Sequence, residues 1–136
     1  MATTPAFAAT INRGSAALSA TADVAVATSG SYITPTAASF TTLFTAGTSG
    51  SKVESITVMA TGTTALSTVR LYIKNGTNYY LRDVYNVPVY TNSTTTAPTP
   101  ITVPYTDLEL ISGDTLVVSC TVAAQPLNAI AFGGDL

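Results

Sequence analysis

Three features of this chain predict an all-β sandwich. Short apolar–polar alternations recur between clusters of Gly, Pro, Asn and Ser, at the spacing of a sandwich or barrel. No segment sustains a capped helical period; one helical turn near Asp107–Leu110 is the only exception expected. Threonine occurs 26 times while charged residues make up only 9% of the 136 residues, and β-branched Thr suits a pleated surface.

Residues 1–20 show neither period and read as an extended arm, or a terminal tail, before a single sandwich domain over residues 21–136. Phe7, Ile11 and Arg13 are the arm's candidate anchors on a neighbouring subunit. Eight strands are expected after it, beginning weakly at Asp23–Ala27 and continuing at Ser39–Thr45 before the loop Gly47-Thr48-Ser49-Gly50. Lys52–Ala60 alternates, with Ile56, Val58 and Ala60 assigned to the core.

Val69, Leu71 and Ile73 then alternate with Arg70, Tyr72 and Lys74 up to Asn75-Gly76, and Asn78–Tyr85 returns. Asn-Gly tolerates positive φ at both central positions of a type I′ turn, so a hairpin is predicted there. Strict alternation would place Tyr79, Leu81 and Asp83 on one face, and Tyr80, Arg82 and Val84 on the other. The proline-bearing stretch Thr91–Pro100 reads as a crossing connection of the Greek-key kind. Ile101–Thr106, the turn Ser112-Gly113-Asp114, Thr115–Val122 and Leu127–Phe132 complete the set. Leu116, Val118, Cys120 and Val122 share a face, so Cys120 is expected as a small buried hydrophobe.

The chemical inventory is sparse. There is no His, no Trp, one Cys, five basic and seven acidic residues. General acid–base chemistry near neutral pH draws on side chains that are missing or scattered here, so no enzyme, cofactor or metal is expected. Asp107 and Glu109 read as a solvated turn rim; a calcium site with Asp114 lacks the dense acidic loop such sites use. Gly47–Lys52 misses the phosphate-loop spacing, and Asn75-Gly76-Thr77 and Asn92-Ser93-Thr94 read as turns. The thinly spread Arg13, Lys52, Arg70, Lys74 and Arg82 give no footprint for nucleic acid. No basic-then-apolar leader and no long apolar run is seen, so neither a secretory signal nor a membrane-spanning helix is expected. Tyrosines, Tyr79 and Tyr80 foremost, are the remaining contact candidates, for sheet packing, then subunit contacts, then sugar stacking.

FTAGTSGSKVESITVMATGTT (Phe44–Thr64), VRLYIKNGTNYYLRDV (Val69–Val84) and the ending NAIAFGGDL (Asn128–Leu136) resemble a group of small structural proteins of tailed bacteriophages and prophages. Those relatives carry a similar arm, FTAG-type loop, NGTN hairpin and terminal GGD. The chain departs from them at Thr91–Pro100 and at the LELISGD segment. The resemblance implies a jelly-roll-like sandwich acting as a capsid decoration, or cement, protein. It implies a homotrimer bound to the major capsid protein on the outer surface of the virion, made in the host cytoplasm. A tail or head-to-tail component and a carbohydrate-binding attachment module are the alternatives.

Overall fold

A computed structural model describes residues 10–18, 40–122 and 125–136. Eight strands are present there: β1 (Thr10–Ala17), β2 (Thr41–Thr45), β3 (Ser51–Ala60), β4 (Ser67–Asn75), β5 (Asn78–Val87), β6 (Ile101–Leu110), β7 (Asp114–Cys120) and β8 (Leu127–Asp135). They form two antiparallel sheets of four strands, ordered β1-β8-β3-β6 and β2-β7-β4-β5. The chain changes sheet at every connection except the β4–β5 hairpin. β1 pairs with β8, β2 with β7, β3 with β6 and β4 with β5, the pattern of one long ribbon folded at the β4–β5 turn and rolled up. This is the jelly roll.

Apolar alternation drives the roll: β3, β6 and β8 bury one face, while the inner strands β4 and β7 are buried on both, with Arg70, Tyr72, Val117 and Ser119 covered on the outer side. Val53, Ile56 and Val58 of β3 meet Val69 and Leu71 of β4 and Leu116, Val118 and Cys120 of β7 in one core. Leu108 and Leu110 of β6 and Leu127, Ala129 and Ala131 of β8 close it. Each fully buried aliphatic chain contributes about 1.5–3 kcal/mol relative to exposure. The expected faces of β3 and β7 are thus observed, and Cys120 is buried as a free thiol.

Several expectations need correction. Part of the segment read as an arm is a strand of the sandwich: Thr10–Ala17 pairs with β8 along its length, and Leu18 behind it is fully buried. Its Ala- and Ser-rich sequence hides the alternation, since Gly14 and Ala16 are the inward residues and neither reads as a core side chain. Gly14 is required: a Cβ there would lie 1.7 Å from the Leu43 carbonyl oxygen, where β2 crosses beneath β1. Asp23–Ala27 and Phe7 lie outside the described residues. No helical turn forms at Asp107–Leu110, because β6 continues through it with Leu108 and Leu110 inward. β8 likewise runs past Phe132 to Asp135, whereas β7 ends at Cys120, before Val122.

The hairpin is present, but its two loop residues are Gly76, with φ of 59°, and Thr77. Asn75 stays in the strand, paired with Asn78 and Asp114, and its Nδ2 donates to Asp114 Oδ1 at 2.6 Å. A bulge also interrupts β5, so that Leu71 faces Asp83 and Tyr72 faces Leu81. The extra residue resets the alternation. Tyr79 and Leu81 therefore share the outward side with Lys74 and Tyr72, while Asp83 turns inward with Tyr85.

Candidate functional site

The outward face of the β1-β8-β3-β6 sheet is built in cross-strand rows. Arg13, Phe132, Ser55 and Pro104 form one row; Ser15, Ile130, Thr57 and Thr102 the next; Ala17, Asn128 and Met59 a third. Thr57 and Thr102 join hydroxyl to hydroxyl at 3.0 Å. Charge gathers at one end of the face: in the row of Ile11, Gly134, Lys52 and Glu109, in exposed Glu54 at the β3 bulge, and in Arg13 beside Phe132. Ile11 is 91% and Phe132 44% exposed. The rows from Ser15 to Thr102 and from Ala17 to Met59 carry no charge, and depletion of charge is one mark of an interface core.

The predicted contact residues are not brought together into one patch. Ile11 and Arg13 lie on this face, on the edge strand β1. Tyr79 belongs to the other sheet, where its ring stacks on Phe40 at 4.5 Å and 9°, with Lys74 Nζ 5.8 Å from its centroid. Phe40 also meets Tyr72 edge-on at 5.1 Å. One face of the Tyr79 ring is thus occupied within the chain. Tyr80, 57% exposed, lies opposite Ile73 and not beside Tyr79.

Two polar clusters pin the ends of the sandwich. At the β5–β6 edge, Tyr105 Oη donates to Asp83 Oδ2 at 2.7 Å, and the Tyr85 and Tyr105 hydroxyls are hydrogen-bonded to each other. Ionised Asp83 only accepts and Tyr105 has one proton, so Tyr85 is the donor to Tyr105. Asp83 Oδ1 accepts the Val84 amide at 2.8 Å. Burial pushes Tyr85 up to about 12, with the Asp83 charge adding to the rise. Tyr105 is raised as well, first by burial and then by its bonds to Tyr85 and Asp83. Arg82 covers the Tyr105 ring at 5.3 Å and reaches Asp107 at 2.9 Å, a pair exposed enough to contribute little.

The second cluster joins three segments far apart in sequence. Asp135 Oδ1 accepts from Ser51 Oγ at 2.5 Å and from Asn12 Nδ2 at 2.7 Å, and the Gly47 amide also favours the carboxylate. Asn12 Nδ2 further donates to the Thr45 carbonyl at 3.2 Å, and the Gly47 amide to Ser51 Oγ at 2.8 Å. These bonds, the Ser51 one foremost, hold Asp135 below the usual carboxylate range. The FTAG loop and the GGD ending are therefore two halves of one structural rivet. Its parts were visible in the sequence; their meeting was not.

Other candidates are absorbed by structure. Asp114 is held by Asn75 and by the Ile111 amide, and among the described residues no three His, Cys, Asp or Glu side chains gather as a metal-binding group. An apolar cavity of about 170 Å³ opens beneath the crossing connection, floored by Val58, Val87, Ile101 and Leu127 and walled by Pro88–Tyr90 and Thr96–Thr99. No charged side chain lines it. Among the described residues no helix is long and apolar enough to cross a membrane. Comparison of the chain with protein-family models, curated proteins and solved structures yields no match.

Proposed function

We propose that this chain is a non-enzymatic structural protein of a tailed-phage virion, and that it decorates the outer surface of the capsid. The observation that carries the proposal is the pair of charge-free rows around Ile130 on the outward face, Ser15 to Thr102 and Ala17 to Met59, on a jelly roll braced by the Asp83 and Asp135 clusters. Such a face gains affinity through many copies acting together on a lattice. The resemblance of the FTAG loop, the NGTN hairpin and the GGD ending to phage structural proteins supports the reading, and within this chain those segments brace the fold. Its partners are the major capsid protein and further copies of the chain, with no nucleic acid and no membrane.

Co-sedimentation with expanded, empty heads of a phage that encodes the chain tests this. Saturation at hundreds of copies per head is the expected result. Phe132→Asp places a charge in the middle of the face and is expected to abolish binding while leaving the urea midpoint within about 0.5 kcal/mol. Absence of saturable binding to heads would refute the assignment, and binding to isolated tails in its place would move the protein to the tail.

A further inference from the structure

Among the described residues the edge strands are β1 and β6 in one sheet and β2 and β5 in the other. Three carry features that blunt an exposed edge. β2 spans only Thr41–Thr45 and is irregular between Thr42 and Phe44. β5 is bulged opposite Leu71 and Tyr72. β6 shifts register opposite Val53–Ser55 and contains Pro104. β1 has only the single charge of Arg13: Thr10–Ala17 stays in register with β8 from Thr10↔Asp135 to Ala17↔Asn128, with no bulge and no proline. Among the described residues no strand pairs with its other edge. The backbone groups on that edge form a regular template for strand addition.

We propose that β1 pairs antiparallel with β1 of a second copy of this chain, about a two-fold axis at Gly14, which continues the β6-β3-β8-β1 sheet into the second subunit. Low charge suits a like strand, charge excludes one register, and the Gly14 axis pairs the strand along its whole described length, Thr10 opposite Leu18. The strand TINRGSAA carries a single charge, Arg13, so a strand equally poor in charge suits it, and its own sequence is one. With Gly14 on the axis, Arg13 lies opposite Ser15 of the second copy and Ile11 opposite its Ala17. An axis at Arg13 would set two arginines face to face, which is unfavourable. The Gly14 axis also covers Ile11, the most exposed large apolar residue among those described. The contact is isologous and closes at two copies, unlike the trimer that the phage resemblance implies. It stands independently of the virion assignment.

Sedimentation velocity of the full chain, from about 1 µM to about 1 mM, tests it with two substitutions at one exposed position. Ser15→Glu sets a carboxylate opposite Arg13 twice per dimer and is expected to tighten dimerisation roughly fivefold. That gain should vanish in about 1 M salt. Ser15→Arg sets like charges opposite each other and is expected to weaken dimerisation by a similar factor or more. Unchanged urea midpoints show that both variants fold. A chain that stays monomeric throughout the range, or an oligomer that both variants leave unmoved, overturns the proposal; equal responses to Glu and Arg overturn the Gly14 register.

Discussion

Replacing Tyr105 by phenylalanine removes one oxygen and, with it, two hydrogen bonds. The Tyr105 hydroxyl donates to Asp83 and accepts from Tyr85, so it is the middle of a directed chain. A bond to an ionised acceptor contributes about 1.5–3 kcal/mol, and leaving the buried Tyr85 hydroxyl without its acceptor costs about 1 kcal/mol more. Asp83 is half-buried, so water replaces part of what it loses. The net expectation for Tyr105→Phe is about 2–3 kcal/mol, a fall in melting midpoint of roughly 10 °C for a chain of this size. Tyr85→Phe removes only the terminal donor and is expected to cost about 1 kcal/mol. Urea unfolding monitored by far-UV circular dichroism reads both, with the midpoint moving and the slope unchanged.

The same pair makes a pH prediction. The Tyr85 pKa is raised to about 12 in the folded chain, so its contribution to stability is complete below the ordinary tyrosine value near 10 and is lost as pH rises toward 12. Tyr85 alone accounts for a decline of up to about 3 kcal/mol over that window, and Tyr85→Phe should flatten it by that share. A larger cost for Tyr85→Phe than for Tyr105→Phe would reverse the donor order and refute the chain of bonds. A wild-type stability that does not change between pH 10 and 12 would refute the burial of these hydroxyls.

Three further expectations follow from the strand pairing and the Asp135 rivet. Gly14→Ala places a methyl group 1.7 Å from the Leu43 carbonyl oxygen, so it is expected to cost about 2 kcal/mol or more, read as a lowered urea midpoint; an unchanged midpoint would remove the β1–β2 crossing. Deleting residues 1–18 removes β1 and buried Leu18 and is expected to broaden or abolish cooperative unfolding in calorimetry; a sharp transition at the parental temperature would return the segment to the status of an arm. Asp135 has a lowered pKa, so the stability it contributes is present above the ordinary carboxylate value of 3.8 and is lost as pH falls through its lower folded value. Asp135→Asn should therefore lower the midpoint at pH 7 and shallow the acid limb below pH 3.8, and an identical acid limb in variant and parent would contradict the rivet.

Much of the ribbon was legible from local signals. β3, β4 and β7 announce themselves through period-two alternation, because each has an apolar face toward the core, whereas β5 is legible mainly as the return strand of the hairpin. The hairpin at Asn75-Gly76 is legible for the same local reason, since few residues accept a positive φ. Of the contact candidates, Ile11 and Arg13 do lie on the exposed sheet face, whereas Tyr79 is engaged by Phe40 and Tyr80 stands apart from it. The clusters around Asp83 and Asp135 had no local signature: each joins residues from different strands, and a lone Asp or Tyr in a strand reads as ordinary surface until its partner is placed.

By itself the sequence determined an all-β chain, the core faces of its central strands, the place where the ribbon folds back and the poverty of reactive side chains. Those properties depend on neighbours a few residues away. Only the tertiary structure decided that Thr10–Ala17 belongs to the sandwich, that a bulge in β5 turns Asp83 inward, and that Gly14 must be glycine. Strand partners, bulges and close backbone approaches arise between segments far apart in sequence, 123 residues in the Asn12–Asp135 bond, and no local period records which distant backbone will lie across the gap.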